Sequence, residues 1–144
     1  MQSGQQFKVD QPGLMKAGLI PVIVGAVAGA LYIIQDLSIW SLAGLLGWLV
    51  PIFGGVWYVM TARKSGAMPA QMDGLVNGAI MGAVVGVVFG IVAWIVGTIS
   101  ATGIGAALLG LGFGNVIARL IGGAVGGAVG AFGYSYLVSS GQIK

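Results

Sequence analysis

The chain has 144 residues, of which 58% are hydrophobic and only 6% are charged, and its formal net charge is +3. A soluble domain carries about 25% charged residues, so this composition excludes a soluble globular fold, whose surface it could not cover. The sequence has no cysteine and no histidine, which excludes disulfide bonds, thiolate metal sites and imidazole ligands. We therefore expect no metal site, no cofactor and no enzyme activity.

Apolar runs long enough to cross a membrane fill most of the chain. A membrane-spanning helix needs about 20 mostly apolar residues. The uncharged runs that approach or exceed this length are residues 17–34, 37–62, 74–118 and 120–143. These runs predict an all-α membrane protein with four transmembrane helices, arranged as two tandem helical hairpins.

The first two predicted spans form one hairpin. An N-terminal tail, residues 1–13, precedes a span over residues 14–34, and a short polar turn separates it from a second span over residues 39–62. Residues 14–62 are therefore transmembrane hairpin 1. A cleavable signal peptide is the alternative for the first span, because Ala28-Gly29-Ala30 has the small-x-small form of a cleavage site. This motif lies inside the apolar run rather than after it, so we expect an uncleaved anchor.

The second predicted hairpin carries an additional apolar segment. A polar loop, residues 63–73, leads to transmembrane hairpin 2, residues 74–138, and a C-terminal tail follows at residues 139–144. The parts of this hairpin are spans over residues 74–98 and 116–138 and a glycine-rich insertion, residues 99–115. A five-span alternative arises if residues 99–117 cross the membrane with a turn near Asn115 and Arg119, although only about 15 residues are then available, which is short for a span.

Basic residues indicate the orientation of the spans, because positive charge concentrates on cytoplasmic loops. With four spans, five of the six basic residues lie on one side: Lys8, Lys16, Arg63, Lys64 and Lys144. This pattern predicts a multi-pass protein of the cell inner (cytoplasmic) membrane with both termini in the cytoplasm. Arg119 alone falls near the opposite face, where it could snorkel to the interface, bind a lipid phosphate or pair with an acidic group of a partner.

Glycines recur at spacings typical of close helix packing in membranes. Residues four apart share a helix face, and small residues there allow two backbones to approach. The glycines that we predict to pack against other helices are Gly25, Gly29, Gly74, Gly78, Gly82, Gly86, Gly90, Gly122, Gly126 and Gly130. A second row in the fourth span, Gly123 and Gly127, indicates either a further interface to another subunit or packing wholly inside the monomer.

The two halves of the chain resemble each other. With residue 13 aligned to residue 74, Gly25 and Gly29 meet Gly86 and Gly90. In the second spans, the pair Phe53-Gly54 aligns with Phe132-Gly133. Either an internal duplication or the low complexity of a chain rich in glycine, valine and alanine accounts for these matches.

Few polar residues lie close to the spans. Asp73 precedes the third predicted span, where we expect it to cap the helix, and Asp36 lies in the predicted outer turn. Asn77 lies one turn into the third span and is predicted to hydrogen-bond to a neighbouring helix. With Arg119, Asn77 is also a candidate contact for a lipid or partner.

These features favour a small non-catalytic membrane protein that acts as an accessory or structural subunit of a larger membrane complex. The expected partners are membrane lipids and other transmembrane subunits or a second copy of the chain, but no nucleic acid, because the charges are scattered between spans. A small homo-oligomeric channel or transporter is the main alternative, and membrane disruption is a third. The sequence shows no obvious line of polar residues for a transport path.

Overall fold

Four α-helices make up nearly all of the described chain. The computed structural model describes residues 7–34, 40–100 and 105–144, without the side chains of residues 32–34, 40–46, 97–100, 105–113 and 115. The helices are α1 (Gln11–Ile34), α2 (Trp40–Lys64), α3 (Gln71–Ser100) and α4 (Gly105–Ser139). The described residues contain no strand, so the all-helical class predicted from the sequence is confirmed. Asp36 lies outside the described residues.

Three of the helices are long and apolar enough to cross a membrane. The qualifying stretches are Gln11–Leu31 in α1, Gln71–Val96 in α3 and Val116–Ser139 in α4. These lengths and compositions support a membrane protein, as the sequence predicts.

Helix α4 begins earlier than the predicted fourth span. It has 35 residues, which at about 1.5 Å per residue makes it roughly 52 Å long, well beyond the ~30 Å core of a bilayer. Residues 105–115, predicted as part of a separate insertion, are the first turns of this helix. The reason is local, because no proline interrupts the run from Gly105 to Ser139.

The described helix ends follow from residues with known capping roles. At the start of α1, the Asp10 carboxylate Oδ1 accepts a hydrogen bond from the Gly13 N–H at 3.1 Å, and Pro12 lies in the first turn, where its missing N–H is not needed. Helix α2 ends at Lys64, and Gly66 in the turn that follows has a φ of 80°, in the left-handed region favoured by glycine. The Ala67 N–H then bonds back to the Ala62 carbonyl at 3.1 Å.

Helices α2 and α3 form the centre of the bundle. They contact each other, and both contact α1 on one side and α4 on the other, whereas the described residues of α1 and α4 do not touch. The most extensive contact joins α3 to α4. The largest apolar side chains fully buried between the helices are Tyr58, Val59, Val85 and Phe89.

Helices α3 and α4 approach each other through the backbone at several glycines. A Cβ built at Gly82 would lie 2.6 Å from the Gly127 Cα, and one at Gly86 would lie 3.1 Å from the Gly123 Cα. At Gly78, a Cβ would contact the Ala131 Cβ. Non-bonded carbon atoms pack about 3.5–4.0 Å apart, so these positions have no room for a side chain unless the helices move.

Gly126 and Gly130, which belong to the other glycine row of α4, face α2. A Cβ at Gly126 would lie 3.1 Å from the Pro51 Cβ, and one at Gly130 would lie 3.1 Å from the Ile52 Cα. Gly122 differs, because a Cβ there would meet no atom within 4 Å. The two rows on α4 thus face two helices of the same chain, so the double row gives no separate reason to expect another subunit.

Candidate functional site

Two polar regions of the bundle are candidates for function. The first is the N-terminal polar cluster, formed by Lys8, Asp10, Tyr58, Asp73 and Asn77. The second is the Arg119 groove, lined by Gly47, Trp48, Ala118, Arg119, Gly122 and Gly123. They lie toward opposite ends of the bundle: Asn77 lies in the second turn of α3, whereas Arg119 contacts Phe89, twelve residues further along α3.

Asn77 organises the N-terminal polar cluster. Its side chain is only 1% exposed, and its carboxamide oxygen accepts a hydrogen bond from the Asp10 N–H at 2.9 Å. Its amide nitrogen donates to the carbonyl oxygens of Lys8 and Asp73, at 3.0 and 2.8 Å. One buried amide therefore holds the segment that precedes α1 against α3.

Asp10 connects this segment to a third helix. Its carboxylate Oδ1 caps α1 through Gly13, and its Oδ2 accepts a hydrogen bond from the Tyr58 hydroxyl of α2 at 3.1 Å. The Tyr58 side chain is fully buried. The cluster thus joins the beginnings of α1 and α3 to the end of α2 through hydrogen bonds, so its structural role is to hold these three helices together.

Asp73 also hydrogen-bonds to the segment that precedes α1, in a contact exposed at the surface. The sequence places it before the third helix as a cap, but it lies in the first turn of α3. Its Oδ1 accepts a hydrogen bond from the Lys8 N–H at 3.3 Å. The helix begins at Gln71, three residues before the start at Gly74 that a capping role for Asp73 requires, and the carboxylate instead accepts a hydrogen bond from the N-terminal segment.

A further contact ties α4 to the same end of the bundle. The Arg63 guanidinium Nη1, near the end of α2, donates to the Tyr134 hydroxyl of α4 at 3.4 Å. Ser135 is buried nearby, with its Oγ 3.8 Å from the position of a Cβ at Gly74. All four helices therefore have polar contacts or buried polar groups at this end.

The Arg119 groove lies between α2 and α4 and has a volume of about 280 Å³. The Arg119 guanidinium lies over the Phe89 ring, with its Cζ 4.9 Å from the ring centroid, an arrangement typical of a cation–π interaction. A Cβ at Gly47 would contact the Arg119 Nη1, so the guanidinium reaches across to α2. Trp48, beside it, is 56% exposed.

A second groove is almost wholly apolar. It lies between α1 and α3, has a volume of about 250 Å³, and is lined by Leu14, Met15, Gly18, Val22, Ile80, Met81 and Val84. Side chains of this kind offer no directed hydrogen bonds. This groove therefore suits an acyl chain or an apolar side chain better than a polar ligand.

Three of the remaining predicted glycines lie against a neighbouring helix, and Gly74 lies against the loop before α3. On α1, a Cβ at Gly25 would lie 3.1 Å from the Val85 carbonyl oxygen, and one at Gly29 would lie 2.5 Å from the Phe89 carbonyl oxygen. On α3, a Cβ at Gly74 would lie 3.5 Å from the Pro69 Cγ, and one at Gly90 would lie 3.3 Å from the Val116 Cα.

The sequence pattern does not identify Asp10 and Tyr58 as site residues. Aspartate two positions before a proline at a helix start is a recognisable capping signal, so the cap at Asp10 could have been found. The Tyr58–Asp10 contact spans 48 positions, and no local pattern reports such a pair.

Comparison with known proteins gives no relative. No protein-family model, no curated protein and no solved structure matches this chain.

Proposed function

We propose that this chain is a small non-catalytic integral membrane protein that acts as an accessory or structural subunit of a larger membrane complex. The observation that carries the proposal is the filled interior of the bundle. Val59, Val85 and Phe89 are fully buried at its centre, and the backbones of α3 and α4 approach within contact distance at Gly82 and Gly127.

A filled interior favours a structural role over transport through a single chain. A transport path needs polar groups or water along its length. The buried polar side chains in the described part of the protein include Asn77, Ser135 and Tyr58, all toward one end of the bundle, and Asn77 already binds the N-terminal segment. Val85 and Phe89, which are fully buried nearer the centre, are apolar.

Outward-facing ridges supply the surface for a partner. Large apolar side chains recur every fourth residue on the two outer helices, which produces continuous ridges of the kind that pack into grooves of other helices. The α1 ridge comprises Met15, Leu19, Ile23, Val27 and Leu31, and the α4 ridge comprises Ile117, Ile121, Val125 and Val129. In this proposal one of the ridges meets the partner subunit and the other faces lipid.

The proposed topology has four spans in two tandem hairpins, with α2 as the second span and both termini in the cytoplasm of a cell with an inner membrane. The basic end of α2, at Arg63 and Lys64, fits a cytoplasmic position. Glycine rows serve as the surfaces through which the helices pack. The equivalent glycines Gly25 and Gly86 each lie against a neighbouring helix, which is consistent with an internal duplication.

The test combines extraction from the native membrane with one substitution on each ridge. The protein is extracted in mild detergent, and the chains that migrate with it are identified. Ile23→Trp on α1 and Val125→Trp on α4 each enlarge one exposed side chain and keep it apolar. We expect larger chains to migrate with the unaltered protein and one of the two substitutions to release them.

Recovery of a lone chain would contradict the accessory role, as would an assembly that neither substitution weakens. A homo-oligomer that conducts ions when reconstituted in vesicles would instead establish the channel alternative. Vesicles without protein and vesicles that carry the Val125→Trp variant are the controls for that flux.

A further inference from the structure

The Arg119 groove lies close to one edge of the membrane. Sixteen residues separate Arg119 from Ser135 along α4, which at 1.5 Å per residue corresponds to roughly 24 Å. Ser135 lies level with the polar end of the bundle, near Gly74. Since a bilayer core is about 30 Å thick, Arg119 lies within reach of the opposite headgroup layer.

Glycines form part of the walls of the groove, beside the half-buried Arg119. Gly47 and Gly122 contribute no side chains to it, and a Cβ at Gly122 would meet nothing within 4 Å. The exposed Trp48 forms part of the rim. Tryptophan is enriched at headgroup level, which agrees with the depth of Arg119.

The chemistry of the groove is that of an anion site. The six lining residues include one cation and no acidic side chain. A guanidinium carries five N–H donors in a planar arrangement that matches a phosphate group, and contact with the Phe89 ring restricts where it lies. The groove volume of about 280 Å³ lies below the range of about 300–1,000 Å³ that is usual for pockets of drug-sized ligands. The groove therefore suits a small anionic group better than a whole drug-sized molecule.

We infer that the Arg119 groove binds the phosphate of an anionic phospholipid in the leaflet opposite the chain termini. The apolar surface beside the groove, which includes the exposed Trp48 and Leu49, receives the start of the acyl chains. A lipid fits better than a free phosphate ion because the exposed Trp48, which lines the groove, and the adjacent exposed Leu49 offer apolar surface that acyl chains can cover. This site does not depend on the accessory role proposed above.

Trp48 provides a direct probe of the site. Trp40, Trp57 and Trp94 are replaced by phenylalanine, and the remaining tryptophan fluorescence is measured in vesicles of phosphatidylcholine with a minority of phosphatidylglycerol. Two samples are compared, one with brominated phosphatidylcholine and one with brominated phosphatidylglycerol. The bromine atoms lie near the headgroup end of the acyl chains, so that contact with the brominated lipid quenches the Trp48 fluorescence. We expect phosphatidylglycerol at Trp48 to be enriched about fivefold over its bulk fraction, the ratio expected for one basic residue near an anionic lipid surface.

Substitutions separate this site from general charge effects. Arg119→Gln abolishes the preference, Arg119→Lys retains part of it, and Arg63→Gln, which removes a charge at the other end of the bundle, leaves it unchanged. Gly122→Leu fills the groove and keeps Arg119, so we expect it to abolish the preference as well. It replaces Arg119→Gln in the test if circular dichroism shows that Arg119→Gln is unfolded.

Three results would overturn the inference. The first is equal quenching by the two brominated lipids in the Trp48 protein, and the second is a preference that survives both Arg119→Gln and Gly122→Leu. The third is loss of the preference when inorganic phosphate replaces chloride at constant ionic strength, which would assign the groove to the free anion.

Discussion

Asn77 shows how one polar residue can fix several segments of a largely apolar protein. A carboxamide has two donor hydrogens and an oxygen with two acceptor positions. Asn77 uses both donors, on Lys8 and Asp73, and one acceptor position, on Asp10. Because the side chain is buried, water cannot replace these bonds when the amide is lost.

Replacing Asn77 with leucine should destabilise the protein. The change retains the approximate volume but leaves the Asp10 N–H and the Lys8 carbonyl without their partner. We expect a loss of about 2 kcal/mol in the free energy of unfolding, because three net hydrogen bonds of about 1 kcal/mol or less are removed. Unfolding by dodecyl sulfate in mixed micelles measures this loss.

Gln71→Leu is the matched control for this change, since Gln71 is an exposed amide at the start of the same helix. It should change the free energy of unfolding by no more than about 0.5 kcal/mol. Equal effects of the two substitutions would show that the Asn77 hydrogen bonds do not stabilise the fold.

Tyr58→Phe should test the connection between α2 and the N-terminal segment. It removes the hydroxyl that donates to Asp10 at 3.1 Å and keeps the buried ring, so we expect a loss of about 1 kcal/mol. Tyr136→Phe, at an exposed position on α4, is the control and should have little effect.

Because Tyr58 and Asn77 act through the same segment, the losses from Tyr58→Phe and Asn77→Leu should add to more than the loss measured for the double variant. Strict additivity would mean that the two side chains hold the bundle independently.

The sequence reveals which polar residues lie within apolar runs but not which groups they hydrogen-bond to. Asn77 is conspicuous because it lies one turn into a predicted span, and its involvement in hydrogen bonding was expected. The sequence predicts a neighbouring helix as the partner, whereas in the structure Asn77 binds the segment before α1. That pairing depends on how the chain folds back over 67 positions, which no local pattern encodes.

Helices are the scale at which the sequence is most informative. Uncharged runs predict four helices, because helix formation satisfies the backbone inside an apolar phase, and the structure has four, although α4 begins at Gly105 rather than near residue 116. A spacing of four identifies the smooth face of α3 but not the helix opposite it. The structure places α4 there, at Gly123 and Gly127, and this choice depends on the packing of all four helices.

A methyl group at Gly82 should force α3 and α4 apart. A Cβ there would lie 2.6 Å from the Gly127 Cα, and backbone atoms cannot move aside as a flexible side chain can. We expect Gly82→Ala to lower the free energy of unfolding by about 2 kcal/mol, as overpacking commonly does.

Gly133→Ala on α4 provides the comparison, because a Cβ at that position would meet nothing within 4 Å. This change should be neutral or stabilise the helix by up to about 1 kcal/mol. If both alanine variants unfold at the same detergent fraction, the close approach of α3 and α4 does not contribute to stability.

The two ends of the whole molecule differ in chemistry. One end holds the N-terminal polar cluster and the Arg63–Tyr134 contact, and the chain's C-terminal residue, Lys144, follows α4 there. Toward the other end, the described charged side chain is Arg119. This asymmetry of basic residues leads us to expect the first end in the cytoplasm.

The absence of cysteine from the sequence makes this orientation directly measurable. Single cysteines at Ser65, between α2 and α3, and at Ser140, after α4, both replace exposed serines at the polar end. A third, at Ser38, lies in the predicted turn between the first two spans. A membrane-impermeant maleimide should label the Ser38→Cys protein in intact cells, but the other two only after the membrane is permeabilised. Labelling of all three in intact cells would contradict cytoplasmic termini. Labelling of Ser65→Cys and Ser140→Cys on opposite sides would contradict two tandem hairpins, because two positions in the same compartment must be separated from each other by an even number of spans.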